Sequence, residues 1–116
     1  MKVDRFHVGP RLSEMAIHHG TVYLTGQIAE DSSQDMIGQT QQVLASIDKL
    51  LTEAGTDKSR MLMAQIIITD MRLFADMNKA WEAWVTPGQT PPRATIEAKL
   101  ATPRHLVEII VTAAQK

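Results

Sequence analysis

The chain has no cysteine among its 116 residues. That absence excludes disulfides, thiolate nucleophiles and cysteine-ligated zinc together, and it suits a reducing compartment, so the expectation is a cytoplasmic protein. No excess of charge of either sign is present: 12 Lys and Arg stand against 13 Asp and Glu, for a net charge of -1. Such a balance gives no electrostatic footprint for a nucleic-acid backbone or an anionic membrane, and neither is expected as a partner. No apolar run approaches the roughly 20 residues that span a bilayer, and "MKVDRFHVGP" lacks the apolar core of a secretory signal. Also missing are the nucleophile elbow G-x-S-x-G, the Walker loop, the fingerprint G-x-G-x-x-G and the zinc-protease helix. The histidines suggest no metal site. His18 and His19, adjacent on an expected strand, should point to opposite faces, and His7 and His105 lack an acidic neighbour at ligand spacing. Neither a metal nor another cofactor is called for.

A single domain over residues 1–116 is expected, and at this length it buries only about two-thirds of its unfolded surface, so self-association is open to it. "VDRFHV" alternates and stops at Gly9-Pro10, after which "EMAIHH" and "TVYLTGQI" flank the turn residue Gly20 and predict a hairpin. The polar "AEDSSQD" contains Ser32 and Asp35 at capping-box spacing and predicts a helix start. Ile37, Leu44, Ile47, Leu51 and Ala54 keep a helical period, and Gly55 supplies the left-handed stop. "MLMAQIIITD" reads as a central strand covered on both faces. "RLFADMNKAWEAWV" reads as a second helix, with Phe74, Met77, Trp81 and Trp84 on its apolar stripe and Pro87-Gly88 beyond it. Both tryptophans are better read as core than as a stacking platform for a ligand. "RATIEAKL" and "HLVEIIVTA" supply the last strands. The order β-β-β-α-β-α-β-β predicts an α+β sandwich of two layers, with two helices on one face of a mixed six-stranded sheet. The other sheet face has no helix left to cover it, which implies a partner subunit.

Two charged residues stand out. Along the strand that starts at Arg93, Thr95, Glu97 and Lys99 share the arginine's face, so Arg93 belongs to a polar set and could be a solvated surface cation or a grip for a carboxylate. On the last strand Glu108 shares an otherwise apolar face with Leu106 and Ile110. A carboxylate in an apolar row needs a cationic partner, a proton or a cleft, because burying it bare costs several kcal/mol. Gly26 interrupts a strand at "TGQ", as a simple turn does or as a close backbone approach by a ligand requires. Ser13 follows the Gly9-Pro10 turn without a visible base.

Taken in order, "GTVYLTGQIA", "AGTD", "FADMNKAWEAW", "PPRATIEAKLA" and "LVEIIV" resemble the RidA/YjgF reactive-intermediate deaminase family, also called L-PSP or UK114, over nearly the whole chain. The resemblance implies a chorismate-mutase-like fold, a homotrimer and ligand clefts between subunits. It also implies that Arg93 holds the carboxylate of a 2-imino or 2-oxo acid, that Glu108 orients the attacking water, and that Gly26 and Asn78 line the site. Two positions depart from the common pattern and point to a divergent subgroup: Ser13 replaces a tyrosine, with Arg11 close by, and Thr95 replaces a cysteine.

The function so implied is hydrolysis of reactive 2-imino acids or enamines to 2-oxo acids and ammonia, without a cofactor. A second reading is a non-catalytic trimer that binds a small carboxylic metabolite in the same clefts. A third, ribonuclease activity, has no basic stripe or acid-base histidine pair to support it. Geometry adds a constraint: were the last two strands a simple hairpin, Arg93 would face a residue near Thr112, about 13 Å along the strand from Glu108. A different strand order, or contributions from different subunits, is then needed for the two to serve one small ligand.

Overall fold

Two successive residues with positive φ, His19 at 52° and Gly20 at 77°, close the first long hairpin. This is the type I′ geometry whose twist matches that of the strands it joins. The computed structural model describes residues 2–116. Strands β1 (Asp4–Val8), β2 (Ser13–His18) and β3 (Thr21–Leu24) form an antiparallel meander. Helix α1 (Met36–Glu53) leads to β4 (Met61–Ile68), helix α2 (Phe74–Trp84) to β5 (Arg93–Glu97), and β6 (Val107–Ala114) ends the chain.

The sheet runs β1-β2-β3-β6-β4-β5. The last strand is therefore inserted between β3 and β4, antiparallel to both, while β5 lies parallel to β4 at the edge. The expected mixed six-stranded sheet with two helices is the fold observed. No helix among the described residues is long and apolar enough to cross a membrane.

Alternation assigns each strand residue to a face. Met15, Ile17, Val22, Leu24, Ala64, Ile66, Ile68, Val107, Ile109 and Val111 turn toward the helices and are buried. They meet Val43, Leu44, Ile47 and Leu51 of α1 and Met77 and Trp81 of α2 in one core. Each fully buried aliphatic side chain there contributes about 1.5–3 kcal/mol. Helix α1 is rotated slightly from expectation, so that Met36 rather than Ile37 is buried in its first turn. Its N-cap is Asp35, whose carboxylate accepts from the Gly38 N–H at 2.9 Å. Ser32 is not the cap; its hydroxyl accepts from Arg104 Nε at 3.2 Å. Gly55, at φ 76°, ends the helix as anticipated.

Three expectations about packing are corrected. β4 is an interior strand, but it is covered on one face alone: Leu62 and Met63 are 48% and 42% exposed, beside a register shift between Met61 and Met63. On α2, Trp81 is core, whereas Phe74 is 36% exposed and Trp84 is partly buried, its Nε1 donating to Asp48 Oδ2 at 2.8 Å. His18 and His19 do not diverge: the positive φ of His19 swings its ring to an edge-on contact with His18, centroids 4.1 Å apart.

The open face of the sheet carries Tyr23, Thr112 and Met63 in one row, Ile110, Gln65 and Ala94 in the next, and Glu108, Ile67 and Ile96 in a third. Tyr23 is 51% and Ile96 56% exposed. This is the uncovered face anticipated from the sequence.

Candidate functional site

β5 ends at Glu97 rather than at Leu100, and its two faces are the reverse of what their composition suggests. Pro91 and Pro92 hold the approach extended, and the Pro92 carbonyl accepts from Ala64 N–H at 3.0 Å. Register pairs Arg93 with Ala64 and Thr95 with Ile66, both core residues. Arg93 and Thr95 therefore face the helices, while Ala94 and Ile96 face the open side. Arg93 is not a solvated surface cation but half-buried. Its guanidinium carbon lies 5.4 Å from the Trp81 ring centroid and 5.8 Å from that of Phe74. Both distances fall in the range of cation–π attraction.

No acid answers this arginine. The ion pairs among the described residues join Lys2 to Asp4, His7 to Glu53, Arg72 to Asp70 and Lys116 to Asp57. The polar surroundings are equally unfilled. Two buried side-chain atoms among the described residues lack a hydrogen-bond partner, Asn78 Oδ1 and Thr95 Oγ1. Asn78 follows Phe74 by four residues and precedes Trp81 by three, so all three share one stripe of α2. The orphan polar atoms thus belong to the same helix stripe and the same strand face as the unpaired guanidinium. Buried polar groups without partners are few in folded proteins, and their coincidence with an arginine outside any ion pair is an arrangement chemically suited to a polar, anionic ligand.

Glu108 belongs to the opposite face, half-buried between Ile67 and Ile110. No lysine or arginine pairs with it among the described residues. Instead its carboxyl group lies against Gly26: a Cβ on that glycine would be 2.8 Å from Glu108 Cδ and 3.0 Å from Cγ. Gly26 is therefore a point of close approach. The adjacent Gln27 is tied to β6 through reciprocal backbone bonds with Ile109, of 2.9 and 3.1 Å.

Within one chain, these groups do not meet. Arg93 is level with Val111 across Ala64, three residues from Glu108. Two strand spacings and three residues separate the α-carbons by roughly 14 Å, and the side chains leave opposite faces of the sheet. The strand order is thus not the hairpin, yet it does not unite the pair. Ser13, at the β1–β2 end and paired with Val8, is four strands from β5, roughly 19 Å. Two clefts of the isolated chain lie away from Arg93. One of about 460 Å³ is lined by Arg60, Met61, Gln89 and Lys116, and a small groove of about 70 Å³ lies beside Ile67, Ala94 and Ile96 on the open face.

Sequence reasoning missed the residues that hold the start of β6. Gln39, fully buried on α1, donates from Nε2 to the carbonyls of Ser32, Gln34 and Arg104 at 3.0–3.1 Å and accepts from Leu106 N–H at 2.9 Å. His105 is buried too: Nε2 donates to the Ala29 carbonyl at 3.0 Å, and Thr102 Oγ1 lies 2.7 Å from Nδ1. Both anchor the loop whose exit aims Glu108. A glutamine in the apolar phase of α1 was the available signal. No group of three or more His, Asp or Glu among the described residues could hold a metal.

Comparison with known proteins bears on the family and the fold. The sequence model of the Endoribonuclease L-PSP family matches residues 4–115. A RutC family protein of Haemophilus ducreyi is 50% identical over 112 residues, spanning 97% of this chain and 96% of that protein. The RutC family protein YoaB of Escherichia coli is 42% identical over 114 residues, spanning 98% and 99%. Among solved structures, a YjgF family member of Neisseria meningitidis superposes with a TM-score of 0.97 at 42% identity, covering 100% of this chain and 97% of that one. An uncharacterised protein of Pseudomonas aeruginosa gives 0.96 at 41% identity, covering 99% and 100%.

Proposed function

Because the chain belongs to the L-PSP/YjgF family, we propose that it hydrolyses reactive 2-imino acids to 2-oxo acids and ammonia in clefts between the subunits of a homotrimer. The observation that carries the proposal is the unpaired Arg93 guanidinium, stacked on Trp81 and Phe74 beside the orphan atoms of Asn78 and Thr95. A planar guanidinium grips a carboxylate through two parallel hydrogen bonds, which a lysine could not do. Arg93 and Glu108 leave opposite faces of the sheet, so in this reading one copy supplies Arg93 from its β5 edge and another supplies Glu108 and Gly26 from its open face.

Glu108 takes a proton from water as the oxygen attacks the imine carbon and returns it to the imine nitrogen. In the resulting carbinolamine the hydroxyl proton passes through Glu108 to the amine nitrogen, the carbon–nitrogen bond breaks, and the keto acid and ammonia are released. Imines hydrolyse readily in water, so orientation and partial proton transfer supply a sufficient lowering of the barrier. The test is ammonia release from freshly generated 2-iminopropionate. Arg93→Ala should abolish acceleration while the assembly survives, and full activity in that variant would falsify the assignment.

A second reading, a trimer that binds a carboxylic metabolite without turning it over, draws on the absence of two groups that the family resemblance supplies: Ser13 stands for the tyrosine and Thr95 for the cysteine. Glu108→Gln separates the two, since it spares binding in both and stops turnover in the first. The ribonuclease activity in the matched family's name has less support here, because a net charge of -1 supplies no basic groove for a phosphate backbone.

A further inference from the structure

Phe74 is the feature of the Arg93 cluster that neither core packing nor carboxylate binding accounts for. It occupies the first position of α2, the residue is 36% exposed, and its ring centroid stands 5.8 Å from the guanidinium carbon. Trp81 is 4% exposed and already supports Arg93 from the core side, at 5.4 Å. Both rings contact the guanidinium, but only Phe74 also remains open to solvent in the isolated chain. A carboxylate held on Arg93 has its α-carbon, and hence its side chain, within a few ångströms of the guanidinium. Phe74 is therefore the apolar surface that such a side chain meets first.

We infer that Phe74 determines side-chain specificity at this site, selecting 2-imino and 2-oxo acids with uncharged, bulky apolar or aromatic side chains over the smallest members and over dicarboxylates. This rests on the reading of Arg93 as a carboxylate grip. Contact with the phenyl ring removes aliphatic surface from water, and each methylene gained against an apolar wall is worth several-fold in affinity. An aromatic side chain adds offset or edge-on stacking. The electron-rich ring face repels a second carboxylate. Neither Thr95 nor Asn78 can replace that wall, since each presents a buried polar atom that lacks a partner.

The test is calorimetric binding of three stable 2-oxo acids to the assembled protein: pyruvate, 4-methyl-2-oxopentanoate and 2-oxoglutarate. The expected order has 4-methyl-2-oxopentanoate on the order of tenfold tighter than pyruvate, with 2-oxoglutarate weakest. Phe74→Ala should collapse the first ratio toward unity, and Phe74→Trp should restore it. Equal affinities in the wild type, or a ratio untouched by Phe74→Ala while Arg93→Ala abolishes binding, would overturn this inference and leave the carboxylate grip standing. Binding of none of the three would overturn both.

Discussion

Gly26→Ala isolates the catalytic role proposed for Glu108 without touching the glutamate itself. A Cβ at position 26 would lie 2.8 Å from Glu108 Cδ, against the 3.5–4.0 Å or so at which carbon atoms pack comfortably. Gly26 is not among the glycines with positive φ, so alanine fits the backbone there and the collision falls on one flexible side chain. Glu108 can escape by rotating off its preferred conformer, at a cost of about 0.5–1.5 kcal/mol. Stability should thus fall by about 1 kcal/mol, a loss of a few degrees in Tm. The carboxylate, by contrast, must move by about an ångström or more, and such a misplacement of a reacting group costs about a hundredfold in rate, equivalent to about 2.7 kcal/mol in the barrier.

The assay is kcat for imine hydrolysis alongside thermal unfolding, repeated in a Glu108→Ala background. If Gly26→Ala acts through the carboxylate, it should cost almost nothing once that carboxylate is gone, and the two substitutions should be strongly non-additive. Wild-type kcat in Gly26→Ala, or an equal loss in the presence and absence of Glu108, would refute the reasoning.

Assembly and titration supply two more predictions. Ile96→Glu charges the open face at a residue that is 56% exposed, so the chain should fold but sediment as a monomer; an unchanged trimer would show that this face is not the subunit contact. His7, whose Nε2 lies 2.9 and 3.0 Å from the two carboxylate oxygens of Glu53, has its pKa raised above 6.5 by that hydrogen bond and by the charge of Glu53, with a smaller push from Glu14. The pair's stabilisation should be complete below pH 6.5 and fade as pH rises through the raised value. An NMR titration of the ring checks it, and a midpoint at or below 6.5 would remove the pair from consideration.

Much of the architecture was legible because burial writes itself into sequence period. The α1 stripe through Leu44, Ile47 and Leu51, the Gly20 hairpin and the alternation of β6 all follow from side chains that must meet water or avoid it. β5 misled for a physical reason. Its residues Arg93, Thr95 and Glu97 form the polar row, and a polar row ordinarily faces solvent. Here Arg93 and Thr95 lie under α2, while Ala94 and Ile96 face outward in the isolated chain. Period gives the alternation of a strand but not which set points inward, and the ligand site proposed for one face together with the subunit contact proposed for the other would invert the usual sign. The anchoring roles of Gln39 and His105 escaped notice because the distant groups they hold are backbone carbonyls and N–H groups, which carry no sequence identity.

Under the proposed reaction, the same inversion explains how the guanidinium and the carboxylate can coexist in a single chain. Held on one face at contact distance, Arg93 and Glu108 would neutralise one another in an ion pair, and a substrate carboxylate would have to break that pair before binding. With the sheet between them, each stays uncompensated: the arginine is held by ring faces that attract its charge without consuming its donors, and the glutamate by a glycine that offers no competing side chain. Assembly of copies is then what sets the distance between the two charges, and the ligand rather than a salt bridge can fill it. Under the proposed assembly, the bare apolar face, the unpaired cation and the carboxylate resting on glycine have a common cause, since each would be half of a contact that another subunit completes.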